Sequence, residues 1–138
     1  MMRHIVVGVD GSSASREAAR WAVDHARQTG ADLEAVHAWS APELGTDRIA
    51  GAAASSDHLE REARRELREV IDQLDERGLV APITEHVACG EPAAALLDAC
   101  RHADLLVVGR RGLNGDDGGR HLRRLIREAP CPVVVVPA

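Results

Sequence analysis

Residues 105–120, LLVVGRRGLNGDDGGR, hold five glycines that follow a run of large aliphatic side chains and precede a segment of helical character. A buried strand that ends in such a loop and feeds a helix can cradle an anion. Glycine has no Cβ and permits φ > 0, so backbone N–H groups approach closely, and the helix N-terminus adds partial positive charge. Phosphate suits this hardware, whereas a flexible surface loop rich in Gly and Asp is the alternative reading. Asp10 is the second candidate. It is a carboxylate where an apolar run stops, placed to point into the crevice in which open α/β sheets bind ligands, and its other reading is a turn or cap residue.

Other chemistries find little support. All seventeen basic residues are Arg and Lys is absent. A Walker A loop, a pyridoxal Schiff base and a protein-kinase nucleotide site each need a lysine, so none can be built. The seven histidines show no H-x-H or HExxH spacing, and the cysteines no Cys-x-x-Cys, so the histidines read as surface or helix-face residues rather than metal ligands. Ser12 and Ser13 lack the G-x-S-x-G elbow of a nucleophile and read as helix caps. Cys89, Cys100 and Cys131 are odd in number and far apart, which fits small buried or half-buried thiols rather than a disulfide framework.

The elements that would position Asp10 and the glycines can be taken in order. Residues 4–10, HIVVGVD, form a β-branched run ending at a turn, and a helix follows with Ala18, Trp21, Ala22, His25 and Thr29 on one face and Gly30 at its end. Residues 33–39 make a second strand, so the connection implies parallel pairing with a right-handed crossover. Residues 40–57 lose periodicity and read as a long connection, slack or folded over a site. Leu59, Ala63, Leu67, Val70, Ile71 and Leu74 then give an apolar helical stripe that stops at Gly78. Residues 83–88 form a third strand whose polarity fits a sheet edge. Gly90-Glu91-Pro92 starts a helix, residues 104–109 form the fourth strand, Leu122, Leu125 and Ile126 mark a further helix, and the valines before Pro137 form the last strand. Five β segments with a helix in each connection predict an open α/β sheet covered on both faces.

At 138 residues the chain fits one domain that needs no disulfide or metal. With no Phe or Tyr, its core must be built from Val, Leu, Ile and Ala, the palette of buried parallel strands. A net charge of −5, without a basic tail or stacking aromatics, argues against nucleic acid or an anionic membrane as partner. The apolar run at residues 5–9 is too short for a signal-peptide core and no run approaches a membrane span, so a cytoplasmic location is expected.

Four stretches in chain order, VVGVDGS at 6–12, GEPAAALL at 90–97, LLVVGRRG at 105–112 and APCPVVVV at 129–136, together resemble the universal stress protein family. The likeness runs over the whole chain. It implies a single domain over residues 1–138, with five parallel strands in the order 3-2-1-4-5 and a site at the switch point between the first and fourth strands. It also implies a homodimer paired through Val133–Val136.

Family members that bind ATP carry G-x2-G-x9-G followed by Ser or Thr. Here Gly109 and Gly112 match the first pair, and Gly119 falls at the third position with six residues between rather than nine. Arg120 stands where the hydroxyl belongs. The resemblance places the ribose hydroxyls on Asp10, the adenine edge on the backbone near Ala38, and the phosphates along Gly109, Gly112 and Gly119. Losing a hydroxyl bond to phosphate costs roughly 1.5–3 kcal/mol, which a bidentate Arg120 could restore. Asp116 and Asp117 oppose it, repelling phosphate by about 1–4 kcal/mol each at ~4 Å, a conflict that Mg²⁺ or outward rotamers would relieve. The implied function is binding of ATP or a related adenine nucleotide, with or without Mg²⁺, in a sensor or regulator of stress response rather than an enzyme. A dimeric interaction module with a vestigial site and a slow ATPase are the other functions compatible with these residues.

Overall fold

The structure, a computed structural model, describes residues 2–39, 49–76, 78, 81–110 and 119–137. Its elements are β1 (His4–Gly8), α1 (Ser13–Thr29), β2 (Asp32–Trp39), α2 (Ile49–Glu76), β3 (Ile83–Cys89), α3 (Pro92–Ala99), β4 (Leu105–Gly109), α4 (Arg120–Glu128) and β5 (Val133–Val136). All strands pair in parallel, in the order β3-β2-β1-β4-β5. β1 and β4 are central, and their unbroken aliphatic runs follow from burial on both faces.

Strand alternation divides the core in two. Ile5, Val7, Leu105 and Val107 face α1 and α2, packing on Ala18, Ala22, Val23, Leu67, Val70 and Ile71. Val6, Leu106 and Val108 face the opposite way, onto Ala93 and Leu96 of α3 and Leu125 of α4. Each large aliphatic side chain sunk in these layers contributes about 1.5–3 kcal/mol. β3 is an edge strand, as its polarity predicts, with Thr84, Glu85 and His86 exposed.

Two expectations need correction. The stretch 40–57 is not all connection, because α2 already runs from Ile49, while residues 40–48 lie outside the described ones. Its alanine-rich start favours helix through propensity without showing an apolar stripe. On α1 the buried residues are Ala14, Ser15, Ala18, Ala19, Ala22, Val23 and Ala26, whereas Trp21 is 36% exposed and stacks on His25 with ring centroids 4.8 Å apart. Small side chains let α1 lie close to the sheet, and the bulky pair is displaced to its flank. On α4, Leu125 is buried but Ile126 is 58% exposed.

Asp104 ties the lower edge of the sheet together: its Oδ2 accepts from the backbone N–H groups of Arg3 at 2.8 Å and His4 at 3.0 Å. Those two bonds hold its carboxyl below the usual carboxylate range. A depressed folded-state value contributes stability above the unfolded value of about 3.9, and that contribution disappears as pH falls through the folded one. Asp104→Asn is therefore expected to lose less stability than the parent between about pH 5 and pH 3, read from urea midpoints across that window.

The thiols rank by burial. Cys100 is buried, and burial pushes it up to about 12, while Cys131 is half-buried and also raised by burial, and Cys89 is exposed. Iodoacetamide is expected to modify Cys89 first, Cys131 more slowly and Cys100 only on unfolding, as peptide mass mapping would record.

Candidate functional site

The site is built where β1 ends. Chain order takes β1 to β2 on one side and β3 to β4 on the other, so the carboxyl ends of β1 and β4 flank a switch point. The pairing Val7↔Val107, carried three residues on, brings Asp10 level with Arg110, just past Gly109. The pairing Gly8↔Val36 brings Asp10 level with Ala38. The ends of the neighbouring strands β2, β1 and β4, where Ala38, Asp10 and Gly109 stand, thus lie side by side at the same edge of the sheet.

Asp10 is held there by the first turn of α1. Its Oδ1 accepts from Ser12 N at 2.9 Å, an Asx-type turn, and its own N–H donates to Ser15 Oγ at 3.2 Å. Ser12 is the N-cap, its hydroxyl accepting from Ser15 N at 3.1 Å, and Ser15 Oγ donates to Ser12 O at 3.0 Å. Ser15 is 1% exposed, and these three bonds satisfy it. The cap role expected of Ser12 or Ser13 falls to Ser12. Ser15, which fastens Asp10, went unnoticed, although a serine three residues after an N-cap is the available signal.

Val9 N donates to Val36 O at 2.8 Å and Gly90 N donates to Trp39 O at 2.7 Å. Backbone groups alternate sides along a strand, so Ala38 directs its N–H and C=O as Val36 does, toward the side β1 leaves when the chain turns at Asp10-Gly11. One residue on, the indole Nε1 of Trp39 is buried without a hydrogen-bond partner among the described residues. A buried donor left so costs about 1–3 kcal/mol.

Gly109 has a packing reason to be glycine. A Cβ there would stand 2.5 Å from the backbone C and O of Ala14 in α1. Its neighbour Arg110 is exposed and its N–H donates to Val136 O at 2.9 Å. Gly112, with Asp116 and Asp117, lies outside the described residues. Gly119 is the N-cap of α4 at φ 78°, a left-handed conformation that favours glycine, and Arg120 is the exposed first residue of that helix.

His37 corrects the reading of the histidines as surface or helix-face residues, because it lies in β2 and is 7% exposed. Its Nδ1 donates to the Val9 carbonyl at 2.7 Å, and its Nε2 lies 2.7 Å from Glu66 Oε2 on α2. The residue immediately before Asp10 is thereby pinned to a second helix. A polar residue between Val36 and Ala38, in the apolar half of the strand, was the signal for it.

The family model for the Universal stress protein family matches residues 1–137. Universal stress protein Rv1996 of Mycobacterium tuberculosis is 35% identical over 135 residues, covering 95% of this chain and 43% of its own. The chain thus spans less than half the length of that curated relative. Among solved structures, universal stress protein UspA from Lactobacillus plantarum aligns with TM-score 0.81 at 24% identity, covering 98% of this chain and 97% of its own. A universal stress protein in complex with cAMP aligns with TM-score 0.70 at 27% identity, covering 99% and 97%. The strand order, the crevice between β1 and β4 and these matches place the chain in the universal stress protein family.

Proposed function

We propose that this chain binds an adenine nucleotide at the switch point between β1 and β4 and acts as a sensor or regulator rather than as an enzyme. The carrying observation is that the Asp10 carboxylate is fixed by Ser12 at the level where Ala38 turns its backbone N–H and C=O toward the same opening. A carboxylate suits the hydroxyls of a ribose, and a strand backbone suits the edge of a base. The 27%-identical relative in complex with cAMP supports the reading. Gly109, Gly112, Gly119 and Arg120 are the proposed phosphate contacts. Arg120 at the first position of α4 supplies a guanidinium and a helix N-terminus together. Mg²⁺ with ATP would be held through the phosphates.

Calorimetric titration of nucleotide-free protein with AMP and ATP, with and without Mg²⁺, tests the reading. Saturable binding below millimolar is expected, with phosphate release from ATP near background. Absence of binding at millimolar nucleotide would remove the proposal, and steady turnover abolished by Asp10→Ala would replace it with an ATPase.

The chain is also proposed to form a homodimer through β5. Val133–Val136 is an edge strand whose four valines are all only half-buried, a β-prone edge that pairing would cover. Sedimentation velocity at micromolar concentration is expected to give a dimer mass, and a monomer would contradict it.

A further inference from the structure

We infer that His37 is a positioning residue for the crevice: it draws the Val9 carbonyl out of the β1–β2 ladder and so leaves the Ala38 N–H open to a base. A parallel ladder repeats one pattern. When a residue's N–H donates to a carbonyl on the neighbouring strand, its own C=O accepts from the N–H two residues further along that neighbour. Val9 N donates to Val36 O at 2.8 Å, so a continued ladder would have Ala38 N donate to Val9 O. The ladder does not continue. Its register ends at Gly8↔Val36, and Val9 O accepts from His37 Nδ1 at 2.7 Å.

The ring is fixed for that task. A carbonyl only accepts, so Nδ1 carries a proton. Glu66 Oε2, 2.7 Å from Nε2, closes on the other side from α2. His37 is 7% exposed, while the Glu66 side chain is 55% exposed. The bond therefore lies inside the fold with one end at the surface of α2. A histidine that merely filled a polar gap in the core would stabilise the strand without deciding where the ladder stops. Here the side chain competes for the one acceptor that would otherwise occupy the Ala38 N–H. The same bond fixes the carbonyl immediately before Asp10, so one ring sets both the hydroxyl-binding carboxylate and the base-facing amide.

The functional half rests on the crevice being an adenine site, whereas the structural half can be read without ligand. Amide hydrogen exchange by NMR on ¹⁵N-labelled protein measures Ala38 directly, and AMP titration of the same samples measures the consequence. In the parent, Ala38 is expected to exchange without protection although its β2 neighbours are protected. His37→Leu removes the donor, so the ladder closes, Ala38 becomes protected, and AMP binds about three- to tenfold more weakly, the size of one hydrogen bond. His37→Asn, whose side-chain amide can stand in for Nδ1, is expected to keep both properties. Glu66→Gln retains a hydrogen-bonding partner for the ring and is expected to behave as the parent. Protection of Ala38 in the parent, or unchanged exchange in His37→Leu, would overturn the inference, and the parent measurement suffices if that variant does not fold. Parent-like AMP affinity in a His37→Leu protein with a protected Ala38 would overturn the functional half. If no form binds AMP, the adenine reading fails, and the exchange pattern still decides what His37 does.

Discussion

Gly109→Ala is expected to destabilise the protein by about 3 kcal/mol, at the upper end of what overpacking a core costs. The added Cβ would lie 2.5 Å from two backbone atoms of Ala14 and 2.9 Å from its Cβ. Backbone in the first turn of a helix cannot step aside by rotating a side chain, so α1 would have to lift from β4 and take the Ser12 cap and Asp10 with it. Gly8→Ala supplies the comparison. Its Cβ would meet Leu96 Cδ1 at 2.9 Å, the far end of a flexible side chain, and the expected cost is about 1 kcal/mol. Urea denaturation of both variants checks the ranking. Equal losses would mean that α1 does not press on Gly109 as described. This packing demand also changes how the glycine motif is understood, because Gly109 would be required even if no phosphate ever bound.

Asp10→Ala is expected to weaken nucleotide binding about tenfold to a hundredfold, the loss of a charged hydrogen bond of roughly 1.5–3 kcal/mol. The substitution also removes the acceptor for Ser12 N, so part of the effect would come through the turn. Asp10→Asn separates the two contributions. Its side-chain oxygen can still accept from Ser12 N, while the negative charge that strengthens bonds to hydroxyls is lost. Stability close to that of the parent combined with weakened affinity would assign the carboxylate to the ligand. Parent-like affinity in both variants would leave Asp10 as a turn residue.

Much of this architecture was legible because it follows from burial. Ile5–Val9 and Leu105–Val108 are continuous aliphatic runs, which only a strand covered on both faces can use, and the polar Thr84-Glu85-His86 announced an edge. Pro92 after Gly90 and Gly30 after α1 marked a helix start and a helix end where the structure has them. The start of α2 escaped because alanine favours helix without drawing a stripe. Helical spacing groups Trp21 with Ala18 and Ala22, whereas the approach of α1 to the sheet is set by its alanines and leaves Trp21 at the flank. In the site, Asp10 and Gly109 could be singled out from the sequence because strand ends are local features. Ser15 and His37 left only a spacing and a polar side chain in a strand as signals, and Glu66 none, because the roles of all three are bonds to residues 5, 28 and 29 positions away. Periodicity reports which side chains are buried, but the partner of a buried polar group is decided only by the folded topology.

The central claim, that an adenine nucleotide occupies the opening between β1 and β4, is tested most directly by NMR titration of nucleotide-free protein with AMP and then ATP. The predicted result is saturable movement, below millimolar ligand, of the amides of residues 10–12, Ala38, Gly109, Arg110, Gly119 and Arg120. No movement at millimolar nucleotide, or movement confined to other surfaces, would contradict it.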